Sequence, residues 1–228
     1  MSLPELIRWS YSKVYYHGWV KPRISKTVTT KVLGFSLTVP HSVFHPKFYF
    51  TSKFLGEFVQ TIPLAGKKVL DVGCGSGILS LAAAAAGATV TSIDINPVAV
   101  TCTKENARRN NLHGRIRVLQ SDLLAELEHD ATRFDYILTN PPFYLREPRS
   151  MVERGFSGGT DNSFMRGLAS AAPAVLSPAG TIVVVLSSDI DVKRALEPFE
   201  EGGFEVHPVA TKRLWFERLL IAQLERSV

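Results

Sequence analysis

The four residues Asn140-Pro141-Pro142-Phe143 have the types and spacing to handle a planar nitrogen. An Asn amide oxygen accepts hydrogen bonds. Two successive prolines stiffen a loop and remove backbone donors, which leaves carbonyls free to accept. The guest that suits such a loop is an amino or amide group. Its lone pair is delocalised into a π system, so it attacks an electrophile poorly unless its hydrogens are held and its lone pair is aimed. The Asn140 side-chain oxygen and the Pro141 carbonyl are two acceptors for those hydrogens. Pro142 fixes the loop, and Phe143 stacks on the planar group and excludes water. Complete positioning of this kind contributes up to about 7–11 kcal/mol. No Asp or His lies within the loop, which fits a reaction without a strong general base. The same four residues also suit an ordinary stop at a strand end, so their surroundings matter.

The loop follows an apolar run at 134–139, which reads as a buried strand of a parallel sheet. Open α/β sheets bind ligands outside the carboxyl ends of their strands. Upstream by 69 residues (140 − 71), the stretch Lys68-Val69-Leu70-Asp71-Val72-Gly73-Cys74-Gly75-Ser76-Gly77 reads as a strand entering a Gly-rich turn, with a helix over 78–86. Glycines there permit positive φ and close approach of backbone to a ligand. Taken alone, the turn is equally a tight turn without a ligand. Another strand, 89–94, ends in Asp94, 23 residues after Asp71 (94 − 71), and an acid at that spacing can accept both hydroxyls of a ribose. Asp122 follows a strand at 115–119, where it can meet an adenine amino group. Three strand-end acids around a Gly turn outline a nucleoside pocket. The chain has neither a Walker lysine motif nor GxGxxG at this turn, so the nucleoside need not carry phosphates.

In order and spacing, Asp71 to Gly77, Asp94, Asp122 and the NPPF loop resemble the motifs of class I S-adenosylmethionine-dependent methyltransferases over roughly residues 40–225. The resemblance implies S-adenosyl-L-methionine as cofactor. It places the Asp71 turn, with Gly73, Cys74, Gly75 and Gly77, along the methionine moiety, Asp94 and Ile95 at the ribose, and Asp122 and Leu123 at the adenine. Asn140 stands between cofactor and substrate. Thr51 belongs to a segment, 43–55, similar to one that lies across the cofactor in release-factor glutamine methyltransferases, although Lys47, Phe48, Tyr49 and Phe50 stand where that family carries acids. The NPPF motif marks the branch that methylates planar nitrogens: adenine-N6, guanine-N2 and release-factor glutamine enzymes. Gly158-Gly159-Thr160-Asp161 and the ending at 215–222 are similar to the glutamine enzymes.

The implied fold is α/β, a Rossmann-like seven-stranded sheet of order 3-2-1-4-5-7-6 with strand 7 antiparallel. The expected division is residues 1–40, a helix at 2–16 and a hairpin joined near Gly34, followed by a methyltransferase domain over 41–228. Ser2 and Glu5 form a capping box and Pro4 suits the first helical turn. A helix over 161–176, a strand over 180–186, a last helix over 189–201 and a closing pair at 204–206 and 214–224 complete the reading. The irregular stretch 144–160 carries Arg146, Arg149, Glu153 and Arg154 for gripping a substrate.

Composition sets the outer bounds. With 228 residues, 45% of them hydrophobic, the chain can bury a full α/β core. No apolar run reaches the 18 or more residues of a membrane span, and no signal-peptide core is evident. Two cysteines, Cys74 and Cys102, are too few for a disulfide framework or a zinc site, so a cytoplasmic protein is expected. His41 and His45 have no third ligand at metal spacing, and no metal is expected. Charge is uneven. Residues 1–60 hold eight Lys or Arg against two Glu, a net +6, and the remaining 18 basic and 19 acidic residues give −1. Trp9, Tyr11, Tyr15, Tyr16 and Trp19 are interleaved with the basic residues, a pattern that can grip RNA and that equally makes a solvated helix face packed on a core. Expected partners are therefore a release-factor protein or an RNA, with no membrane, and room for a small activating subunit of unknown identity. Three functions fit: glutamine methylation, methylation of an RNA or DNA base, and an inactive cofactor-binding scaffold. The intact NPPF loop speaks against the last.

Overall fold

The computed structural model describes residues 25–127, 131–142, 147, 157–215 and 217–227. Nine strands and five helices lie among them, in chain order β1 (Val28–Val32), β2 (Phe35–Val39), α1 (Phe50–Val59), β3 (Lys68–Val72), α2 (Ile78–Ala85), β4 (Thr89–Asp94), α3 (Pro97–Arg109), β5 (Ile116–Gln120), β6 (Phe134–Thr139), α4 (Ser163–Val175), β7 (Leu176–Ser187), α5 (Val192–Glu201), β8 (Phe204–Arg213) and β9 (Arg218–Arg226). The helix expected at 2–16 lies outside the described residues.

Seven strands form one sheet of order β5-β4-β3-β6-β7-β9-β8. Counted from β3, this is 3-2-1-4-5-7-6. The β9 strand runs antiparallel to both β7 and β8, and the other pairs are parallel. The central strands are apolar because both faces are covered. Alternation along β3 divides the core: Val69 joins one cluster with α1, α2 and α3, while Leu70 and Val72 join the other with α4 and α5. The alanine-rich α2 is buried over nearly its whole length, since small side chains let a helix lie close to the sheet. Asn96 caps α3, its side chain accepting from the Val98 amide with Pro97 at the first position. Asp191 caps α5 in the same way.

The chain order reverses between β3 and β6, which lie side by side. Crevices at such switch points are where ligands bind in open α/β sheets. The Gly-rich turn leaves β3 there and the Asn140 loop leaves β6 there, so two motifs 69 residues apart (140 − 71) face each other across one gap.

The hairpin β1–β2 turns at Leu33-Gly34, both with positive φ, 54° and 86°, in the manner of a type I′ turn. Its strand β2 lies on α3 through an asparagine pair one helical turn apart. Asn110 accepts from the Ser36 amide at 2.9 Å and donates to the Ser36 carbonyl at 2.8 Å. Asn106 does the same at Thr38, with 2.9 and 3.2 Å. Two side-chain amides thus stand in for a neighbouring strand and satisfy the hairpin edge. Val32, Leu37 and Val39 are buried in the same cluster as α1 and α2.

Candidate active site

The crevice at the switch point is a cavity of about 430 Å³, within the range of small-molecule sites, about 300–1,000 Å³. One wall is the turn after β3. Its amides at Gly73 and Cys74 donate to the Ile93 carbonyl at 2.9 and 3.0 Å, which ties the turn to β4. Gly77 has φ +79°, and a Cβ there would lie 2.9 Å from Thr103 Cγ2 on α3. Only glycine meets both demands. The Thr103 hydroxyl donates to the Gly75 carbonyl at 3.0 Å, so α3 holds the turn from outside.

Asp94 lines this wall. One carboxylate oxygen accepts from the Gly75 amide and the other from the Asn96 amide, each at 2.9 Å. Burial raises its pKa, and the two amides oppose that rise. A carboxylate has about four lone-pair sites, so two remain for a pair of hydroxyls. Asp71 lies beneath the turn, fully buried. Its Oδ2 accepts from the Ser80 amide at 3.0 Å and from the Ser80 hydroxyl, which also meets Ser92 Oγ at 2.8 Å. Its Oδ1 has no partner. Desolvation pushes Asp71 up to about 7 despite the Ser80 donors. Cys74 reaches the cavity, but burial first, and then the charges of Asp94 and Asp71, raise its thiol well above the ordinary range, so it stays protonated.

The opposite wall comes from distant parts of the chain. The Asn140 Nδ2 donates to Ser52 Oγ at 2.8 Å, and both residues line the cavity. The Asn140 Oδ1 is buried without a partner. Buried acceptors are almost always satisfied, so an orphan on a cavity wall marks a place for a donor from a ligand. The Pro142 carbonyl supports the next segment: a Cβ on Gly158 would lie 2.8 Å from that oxygen. Gly158 and Gly159 line the cavity, and the Ser163 hydroxyl donates to the Gly158 carbonyl at 2.9 Å. Over the top, Asn96 Nδ2 donates to the Ser42 carbonyl at 3.1 Å, drawing Ser42, Val43 and Phe44 onto the crevice.

Of the residues expected from sequence, Gly73, Cys74, Gly75, Asp94, Ile95, Asp122, Leu123, Asn140 and Pro142 line this one cavity. Leu123 does so in a left-handed conformation, φ 49°. Four others stand elsewhere. Asp71 and Gly77 support the turn from below and behind. Pro141 lines a separate, far smaller cavity with Arg194 and Met165. Thr51 is buried with an unpartnered hydroxyl and does not line the crevice, whereas its neighbour Ser52 does. On a helix one residue is a turn of about 100°, so the two side chains face different ways. Phe143, Arg146, Arg149, Glu153 and Arg154 lie outside the described residues. Sequence reasoning missed Ser42, Ser52 and Asn96. A capping pattern, Asn96-Pro97, was the one local signal available for the last. Among the described residues, no group of three or more His, Cys, Asp or Glu is placed to hold a metal ion, and no helix is long and apolar enough to cross a membrane.

Residues 37–204 match the profile of the methyltransferase small domain. A Methanocaldococcus jannaschii protein, whose name gives it an inferred protein N5-glutamine methyltransferase activity, is 31% identical over 166 residues, covering 70% of this chain and 82% of that protein. A ribosomal protein L11 methyltransferase of Methylococcus capsulatus is 32% identical over 200 residues, 86% of this chain and 59% of its own length. Among solved structures, the Thermus thermophilus 16S rRNA N2 G1207 methyltransferase, in complex with AdoMet and guanosine, superposes with a TM-score of 0.62 at 26% identity, over 89% of this chain and 50% of that one. The chain thus spans most of the archaeal relative and only half to three fifths of the other two.

Proposed function

The chain belongs to the methyltransferase small domain family, and we propose that it transfers a methyl group from S-adenosylmethionine to a planar nitrogen, the side-chain amide of a glutamine in a peptide-chain release factor. The observation that carries this reading is the Asn140 amide oxygen, buried on the cavity wall with no partner. It is an acceptor waiting for an N–H.

The cavity residues fit the cofactor. Asp94 retains lone pairs for the ribose hydroxyls, Asp122 stands at the adenine end, and the Gly73–Gly75 backbone leaves room for the methionine arm. S-adenosylmethionine, when bound, supplies an electrophilic methyl group. Asn140 Oδ1 would accept one hydrogen of the substrate amide and the Pro141 carbonyl the other. The nitrogen lone pair is thereby turned out of conjugation and aimed. Transfer of that methyl group, with the sulfur leaving as the thioether, would make the nitrogen cationic, and its proton would then pass to water. No base within the loop is needed.

Glutamine is favoured over a base by the archaeal relative, of which the chain spans 82%, and by the resemblance of the Gly158-Gly159-Thr160-Asp161 turn to that of the glutamine enzymes. The second reading, an RNA base, draws on the net +6 of residues 1–60 and on the likeness to the rRNA guanine enzyme. Under either reading residues 1–40 act as an extension that meets the substrate, and the protein works in the cytoplasm. Incubating the protein with radiolabelled cofactor and cell lysate tests the choice. Label destroyed by protease and retained after nuclease is the expected result. Label destroyed by nuclease selects the RNA reading, and no incorporation contradicts both.

A further inference from the structure

We propose that Ser52 is a positioning residue that holds the plane of the Asn140 side-chain amide, with Oδ1 toward the reacting nitrogen. The proposal rests on the Asn140 clamp described above. The two ends of an Asn amide are nearly identical in shape and opposite in chemistry: the oxygen accepts and the NH₂ donates. The terminal torsion is soft and roughly two-fold, so an untethered amide exchanges its ends at little cost. With Nδ2 toward the cavity, an N–H would point at the substrate N–H groups, and the clamp would repel what it must hold. Asn140 Nδ2 is tied at 2.8 Å to Ser52 Oγ, 88 positions away in the chain.

The tether is itself rigid. Ser52 is only 5% exposed. It sits in the first turn of α1, and Leu55, Gly56 and Val59 on the same helix are buried against the core. A Cβ at Gly56 would collide with Leu33 Cδ1 in the hairpin turn, so α1 is lodged between hairpin and sheet. The hydroxyl is therefore fixed by packing that has no part in the chemistry. Nothing in the local sequence around Asn140 supplies this contact.

The test compares single-turnover rates of wild type, Ser52→Ala and Ser52→Thr, each also in an Asn140→Asp background, together with cofactor affinity. Ser52→Ala should slow methyl transfer about 10-fold to 100-fold, by analogy with the loss of outer-shell groups that orient metal ligands, with cofactor Kd unchanged. Ser52→Thr, which keeps the hydroxyl, should recover most of the rate. In the Asn140→Asp background both ends accept, so Ser52→Ala should change the rate by less than about 3-fold. In wild type, the Asn140 side-chain NH₂ should show slow hydrogen exchange in ¹⁵N-edited spectra, a measurement that needs no variant to fold. A wild-type rate in Ser52→Ala, an equal loss in the Asp background, or solvent-like exchange of the Asn140 NH₂ overturns the tether. Asn140→Ala, run in parallel, separates this from failure of the clamp: a slow Asn140→Ala beside a fast Ser52→Ala sinks the tether alone.

Discussion

The two walls of the crevice are built by different means. On the wall of β3 and β4, one short stretch of chain supplies the turn, and the carboxylates are engaged with it: Asp94 with the Gly75 and Asn96 amides, Asp71 with Ser80. On the wall of β6, Asn140 leaves its oxygen unpartnered, and its supports come from α1, 88 positions away, and from the segment at Gly158. Both walls hold one buried oxygen without a partner, but Asp71 Oδ1 lies beneath the turn and away from the cavity, whereas Asn140 Oδ1 belongs to a residue that lines it. Buried unsatisfied groups cost about 1–3 kcal/mol, and such local costs gather at functional sites.

The largest effect that sharpens this contrast falls on the turn. Gly77→Val would force a β-branched residue to φ +79° and drive its Cβ to within 2.9 Å of Thr103. Strain of about 1–3 kcal/mol adds to overpacking of similar size, so thermal unfolding should move down by many degrees and cofactor binding should be lost. An unshifted melting curve would mean that the turn is looser than its geometry. Next, Asp94→Ala should weaken cofactor binding by roughly 1–3 kcal/mol through lost charge-assisted hydrogen bonds, with the rate at saturating cofactor nearly unchanged. Calorimetry that finds equal affinity contradicts the ribose assignment.

The smallest effect is on pH dependence, and it too separates residues. Asp71 holds its proton up to about 7 because it is desolvated, whereas an unfolded Asp loses it near 3.9. The folded state therefore binds the extra proton between about pH 4 and 7, and this group's contribution to stability falls as pH rises through that window. His45 works the other way. Burial lowers it to about 4 from about 6.5 when unfolded, so its contribution is present above 6.5 and is lost as pH falls towards 4. Asp71→Asn, which still accepts from Ser80, should remove a slope of at most about 1.4 kcal/mol per pH unit between pH 4 and 7 and leave the acid-side loss due to His45 in view. Urea midpoints that follow the same pH curve in wild type and Asp71→Asn would count against a protonated Asp71.

Legibility in the sequence follows the same division. That the Gly turn, Asp94 and Asp122 would line one crevice was readable, because strand, turn and acid lie consecutively and their spacing is fixed by β–α geometry. The sheet order came with the family resemblance, and β9 and β8 close it as expected. Boundaries shifted modestly: β7 starts at Leu176, and α4 at Ser163 after Asn162 in a left-handed conformation. Ser52 was not readable, since its role depends on which face of α1 meets β6, a matter of packing between distant elements. Thr51, its neighbour, carried the expectation and does not line the crevice. Asp71 read as a ligand contact because it leads the turn. Its registry in β3 instead sends the side chain under the turn to Ser80, where it supports shape.

The most direct measurement is the single-turnover rate of Asn140→Ala on the methyl-accepting substrate, with cofactor affinity determined in parallel by calorimetry. Removing one pre-organised hydrogen-bonding partner costs of order 10² in rate, so Asn140→Ala should be slower by about that factor or more, Asn140→Asp should retain part of the activity, and both should bind cofactor nearly as wild type does. If Asn140→Ala turns over as fast as wild type, the orphaned oxygen is not a clamp and the planar-nitrogen reading loses its support.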